Sequence, residues 1–120
     1  MKPEVDSAEP PIIPILANSA DLHLHVNGER KTVVLFEMTA CPYCRMFEER
    51  FLELARSRTR DFAYLRVNLD DPGDPLWHQF GIRAVPTVIV FAKGQVDSRL
   101  DSVLFLGITK RHWSEFSARI

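Results

Sequence analysis

The chain's only two cysteines, Cys41 and Cys44, stand between an apolar run, Val33-Val34-Leu35-Phe36, and a stretch with helical periodicity. That junction constrains the chain more than any other feature. Two thiols at this spacing on the first turn of a helix share a face, so they can close a small disulfide ring and open it again. Unpaired helix N–H groups and the positive end of the helix dipole favour a thiolate at the tip. A thiolate is the species that attacks another disulfide, so the placement points to thiol–disulfide exchange. Zinc is a weaker use of the pair, because no second cysteine pair exists. His23 and His25 lie upstream and only two apart, outside the zinc-finger spacing. A static crosslink over so short a loop gains little chain entropy.

The neighbouring segments read as alternating elements. Residues 1–17 carry Pro3, Pro10, Pro11 and Pro14 and read as an extended arm or edge segment. Asn18 to Asn27 suits a short helix, with Asn18 or Ser19 as cap and Gly28 as stop. Thr32 to Phe36 is a continuous β-branched and aromatic run, the pattern of a buried central strand. A helix is predicted from about Pro42 to Arg56, with proline at its first turn, where a missing N–H costs nothing. Its stripe Cys44, Phe47, Phe51, Leu54 and Ala55 faces the core. Cys44 therefore points inward and Cys41 stays at the tip, which assigns Cys41 as the attacking thiol and Cys44 as the resolving one.

Phe62 to Leu69 is a second strand. Asp74-Pro75 starts a helix that Gly81 ends, and Thr87 to Ala92 is a third strand. Lys93-Gly94 reads as a hairpin turn, with strand material following around Val96–Leu106. Thr109 caps a last helix carrying Trp113 and Phe116. The order β-α-β-α-β-β-α, with a possible leading element, makes an α/β fold: one mixed sheet with helices on both faces.

Composition excludes several classes. With 46% apolar and 26% charged residues and a net charge of −1, nothing argues for nucleic acid or an anionic membrane. Arg56, Arg58 and Arg60 cluster where a helix should end, and cations there complement its dipole. No apolar run approaches the ~20 residues of a membrane span. The apolar run Ile12 to Leu16 is broken by Pro14 and does not read as a signal peptide. A cytoplasmic protein is expected, or a periplasmic or secreted one if a leader has been removed.

The element order, with the cysteines at the first βα junction, resembles the thioredoxin superfamily over residues 18–120, behind the arm of residues 1–17. The stretches Val67-Asn68-Leu69-Asp70-Asp71-Pro72-Gly73 and Phe80-Gly81-Ile82-Arg83-Ala84-Val85-Pro86-Thr87 carry the resemblance further. By that resemblance the Val85–Pro86 bond should be cis. The Val85 backbone should then lie beside Cys41 and pair with an extended substrate segment as an added strand. Gly107 matches the glycine bordering the family's substrate groove. Pro42 and Tyr43, between the cysteines, resemble glutaredoxin and would line the same groove. Other glutaredoxin marks are missing. No Gly-Gly follows the strand after Pro86, and Met38 stands where a basic residue would be.

One departure concerns proton transfer. The family places a buried aspartate six residues before the first cysteine, and here that residue is Leu35. Glu37 projects from the same strand face. It is either a substitute base for Cys44 or a partly solvated strand-end residue. Arg66 matches a family lysine near the inner thiol and can pair with Glu37. The span from Val96 to Leu106 is longer than in thioredoxin. The resemblance implies a monomeric dithiol–disulfide oxidoreductase that acts on protein disulfides and needs no cofactor or metal. A separate reductase or oxidant would reset the Cys41–Cys44 pair. The alternatives are a glutathione-dependent, glutaredoxin-type reductase, or a non-enzymatic module. Such a module would hold an iron–sulfur cluster through Cys41 of two chains, or act as a chaperone.

Overall fold

A computed structural model describes residues 12–16 and 19–120. Most of the expected arm, residues 1–11 and 17, and the candidate cap Asn18 lie outside the described residues. The elements are β1 (Ile15–Leu16), α1 (Leu22–Val26, entered through a 3₁₀ turn at Ser19–Asp21), β2 (Thr32–Glu37), α2 (Pro42–Ser57) and β3 (Ala63–Asn68). They continue with α3 (Pro75–Gln79), β4 (Thr87–Ala92), β5 (Gln95–Leu100) and α4 (Lys110–Arg119). Local chemistry sets the helix starts. The Asp74 side chain accepts from the Leu76 N–H at 2.9 Å, and Thr109 Oγ1 accepts from the His112 N–H at 3.1 Å.

The five strands form one sheet in the order β1-β3-β2-β4-β5. β1 and β2 run parallel to β3, while β4 is antiparallel to both β2 and β5. All six residues of β2 are buried, as its unbroken apolar run requires of a central strand covered on both faces. Alternation along β2 divides the core. Val33 and Leu35 pack with Phe47, Phe51, Trp113 and Phe116 of α2 and α4. Val34 and Phe36 pack with Leu22, Val26 and Leu76 of α1 and α3. Thioredoxin-type architecture, a mixed five-stranded sheet flanked by helices, is therefore what this chain folds into. Among the described residues no helix is long and apolar enough to cross a membrane.

The strand expected around Val96–Leu106 ends early. β5 stops at Leu100, and Val103 and Gly107 close a tight loop by exchanging backbone bonds of 2.9 and 2.8 Å. Leu104, Phe105 and Leu106 form its tip. Their side chains are exposed, so an apolar run that reads as strand turns out into solvent instead.

Candidate active site

The α2 stripe buries Cys44, Phe47, Phe51, Leu54 and Ala55, the set that helical periodicity selects. Cys44 is thus fully buried, while Cys41, one turn earlier at the N-cap, is partly exposed. Both thiols are free. The Cys44 backbone N–H donates to Cys41 Sγ at 3.1 Å, so the sulfur occupies the position of a capping oxygen. Burial is the main cause that pushes the Cys44 thiol up from 9.0 to about 12, followed by its hydrogen bond with Cys41. The charges of Cys41 and Glu37 push the same way.

Two loops from elsewhere in the chain reach the cysteine turn, one at Cys41 and one at Tyr43. The Val85–Pro86 bond is cis, and Cys41 Sγ–H donates to the Val85 carbonyl at 3.8 Å. The Gly107 loop lies against Tyr43. A Cβ on Gly107 would stand 3.0 Å from Tyr43 Cβ and Cδ1, a tight contact, and the residue has φ +70°, where a side chain is strained, so glycine is favoured on both counts. Tyr43 Oη donates to the Phe105 carbonyl at 2.6 Å. Ser102 Oγ donates to the Pro86 carbonyl, tying that loop to the cis-proline turn. Cys41, Tyr43, Val85, Pro86 and Gly107 therefore converge. Pro42 is the exposed first residue of α2 beside them.

Glu37 ends β2 on the α2 side of the sheet. It is buried rather than solvated, with its side chain 6% exposed. Arg66 donates to both its oxygens, Nε at 2.7 Å and Nη2 at 3.0 Å. Arg66 also donates to Glu48 at 2.6 Å, and Arg45 stands 3.6 Å from Glu37. These pairings hold the Arg66 guanidinium firmly protonated, the bond to Glu37 foremost. Leu35 sits fully buried in the α2-side apolar core with Phe47 and Phe51.

Sequence reading singled out neither Arg45 nor Glu48, although both follow Cys44 on the first turns of α2. It also missed Thr39 and Asp70. The Asp70 carboxylate accepts from the Thr39 N–H at 2.7 Å and the Thr39 hydroxyl at 2.6 Å, bracing the loop that leads into Cys41. These bonds, the hydroxyl first, hold the Asp70 carboxyl below its ordinary value. Partners 31 residues apart leave no local signal. His23 and His25 are exposed on α1, across the sheet from α2.

The sequence profile of the family described as Thioredoxin matches residues 14–104. Among curated relatives, the M-type chloroplastic thioredoxin of Brassica napus is 31% identical over 84 residues. That match spans 69% of this chain and 46% of the relative, so the chain covers less than half of that protein's length. The thioredoxin of Mycoplasmoides gallisepticum is 29% identical over 86 residues, which make up 71% of this chain and 84% of the relative. Among solved structures, the thioredoxin of Malassezia sympodialis superposes with a TM-score of 0.75 at 19% identity, covering 92% of this chain and 93% of its own. The Fasciola hepatica thioredoxin gives 0.72 at 23% identity, covering 89% and 98%. At these identities the solved structures bear on the fold alone, and family membership rests on the profile, which spans well over half the chain: this protein belongs to the thioredoxin family.

Proposed function

We propose that the chain is a thiol–disulfide oxidoreductase acting on protein disulfides. The observation that carries this reading is the asymmetry of the pair, with Cys41 accessible at the N-cap and Cys44 buried one turn behind it. Cys41 thiolate attacks one sulfur of a substrate disulfide, forming a Cys41–substrate disulfide and expelling the substrate's other sulfur as a thiolate. Cys44 then gives up its proton and attacks Cys41 Sγ. A Cys41–Cys44 disulfide forms and the second substrate thiol leaves. Two electrons pass to the substrate, and a separate dithiol reductant returns them. If the flow runs the other way, an oxidant resets the pair.

An extended substrate segment pairs with the Val85 backbone beside Cys41, bordered by Pro42, Tyr43, Pro86 and Gly107. A thiol as buried as Cys44 needs a base at the moment of resolution. Glu37 is our candidate. Each of its oxygens accepts one Arg66 bond and keeps a further lone pair. The proton would reach it directly or through one water. The function needs no cofactor beyond the cysteine pair, and the chain works as a monomer.

The test is reduction of insulin disulfides with dithiothreitol as electron source, together with the reduction potential of the pair. Acceleration over dithiothreitol alone is expected. A potential near thioredoxin's ~−270 mV would mark a reductant, and one nearer ~−120 mV an oxidant. No acceleration, with a visible absorption band in protein purified without oxygen, would replace exchange by an iron–sulfur cluster role.

A further inference from the structure

The loop that closes at Val103 and Gly107 carries Leu104, Phe105 and Leu106 at 69%, 79% and 61% exposure. Three adjacent large apolar side chains this exposed bury little area within the fold. The loop is nonetheless fixed. Its base is closed by two backbone bonds, with a third from the Leu106 N–H to the Val103 carbonyl at 2.9 Å. Its flanks are tied to Pro86 through Ser102 and to Tyr43 through the Phe105 carbonyl. Phe105 has φ +68°, a conformation unfavourable to a bulky side chain, so the fold retains local strain to present this aromatic ring outward.

Both tethers lead to residues that border Cys41. The ridge is thus fastened to the turn that holds Cys41 and to the cis-proline turn whose Val85 carbonyl Cys41 contacts. We propose that Leu104, Phe105 and Leu106 form a selectivity ridge that binds apolar residues flanking the cysteine of a disulfide substrate. This inference rests on the exchange function proposed above. A substrate of this kind exposes an apolar segment next to its cysteine, as an incompletely folded chain does. The ridge suits a peptide segment better than a second copy of this protein. Three side chains on one loop tip fall well short of the ~800 Å² per partner of a stable interface. Exposed Tyr43 extends the apolar surface from the ridge to the cysteine pair.

The test compares two disulfide-bridged peptides, one with apolar residues beside its cysteine and one with serine and glycine there. For the parent protein, kcat/KM should favour the apolar peptide by about tenfold, the worth of one buried apolar side chain. In the combined variant Leu104→Ser, Phe105→Ser, Leu106→Ser the ratio should fall to near one. Phe105→Gly should cut the ratio while holding or raising the melting temperature, because glycine accepts φ +68° without strain. A loss of selectivity caused only by damaged folding would lower both. A parent ratio near one, or a ratio kept in both variants, overturns the ridge. A concentration-dependent dimer whose formation these substitutions abolish overturns it as well.

Should the parent reduce neither peptide, the exchange function falls but the ridge is still decided. The apolar peptide with serine in place of cysteine is then titrated against the amide signals of Leu104–Gly107. Shifts confined to the apolar peptide support the ridge, and their absence removes it.

Discussion

The backbone N–H of Cys44 points at the sulfur of Cys41 across 3.1 Å, so the helix that buries one thiol also caps itself with the other. The proposed roles of attacking and resolving thiol follow from that one turn of helix. Cys41→Ser should abolish insulin reduction and form no adduct. Cys44→Ser should accumulate mixed disulfides with substrate, visible on non-reducing gels and by mass. If Cys41→Ser were the variant that trapped substrate, the assignment would be reversed.

Glu37→Gln should slow resolution by roughly 10²-fold, the lower end of what a positioned base contributes, and slow the first attack far less. Quenching a single turnover and measuring the mixed-disulfide fraction separates the two steps. Equal resolution rates in variant and parent would leave water or substrate as the base.

The Glu37–Arg66 pair is also structural. Arg66→Met would leave Glu37, 6% exposed, with Arg45 at 3.6 Å as its one cation among the described residues. Removing one partner of a buried pair costs about 3 kcal/mol, because the other charge is left uncompensated. The double variant Glu37→Leu, Arg66→Met should recover part of that loss in urea denaturation. Additive costs would show that the two side chains do not depend on each other.

Much of this arrangement was legible in the sequence, because it rests on periodicity and capping. The α2 stripe, the Asp74 and Thr109 caps and the unbroken run of β2 appear in the structure as the sequence implies. β1, at the sheet edge, falls in the segment that reads as an extended arm or edge, and the Pro14 carbonyl beside it accepts from the Arg66 N–H at 2.9 Å. What escaped depends on distant partners. The turn at Leu104–Leu106 has no Asn, Asp or Pro to announce it, and an aromatic residue holds its positive φ. The Thr39–Asp70 brace and the Ser102–Pro86 tether join residues whose types carry no signal for those contacts.

Alkali should destabilise the reduced protein. Burial raises the Cys44 thiol from 9.0 to about 12, so the folded state holds a proton that the unfolded state has lost. That stability is complete below about pH 9 and is lost as pH rises towards 12, on the order of 1 kcal/mol per pH unit. Tyr64, raised from 10.0 to about 12 chiefly by burial, adds to the loss above pH 10. Oxidised protein has no Cys44 thiol to titrate. Denaturation at several pH values should therefore give a steeper decline for the reduced form between pH 9 and 10. Parallel curves for the two forms would contradict the burial of Cys44.

Gly107→Ala isolates the contact between the Gly107 loop and the cysteine turn. Its new Cβ would stand 3.0 Å from Tyr43 Cβ and Cδ1, tight enough that Tyr43 must give by a few tenths of an ångström, and φ +70° disfavours any side chain. Tyr43 cannot simply swing away, because its hydroxyl is held by the Phe105 carbonyl at 2.6 Å. The substitution should cost about 1–3 kcal/mol in stability and displace Tyr43 from its place between the two cysteines. Reduction of protein disulfides should fall with it. Tyr43→Phe relieves only the hydroxyl tether and leaves the ring against Gly107, so it should cost about 1 kcal/mol. Combining Tyr43→Ala with Gly107→Ala removes the clash but not the backbone strain, so part of the Gly107→Ala cost should disappear. If the cost of Gly107→Ala were unchanged in the Tyr43→Ala background, backbone conformation alone would explain why glycine is needed there, and the packing of Tyr43 on this loop would have no part in it.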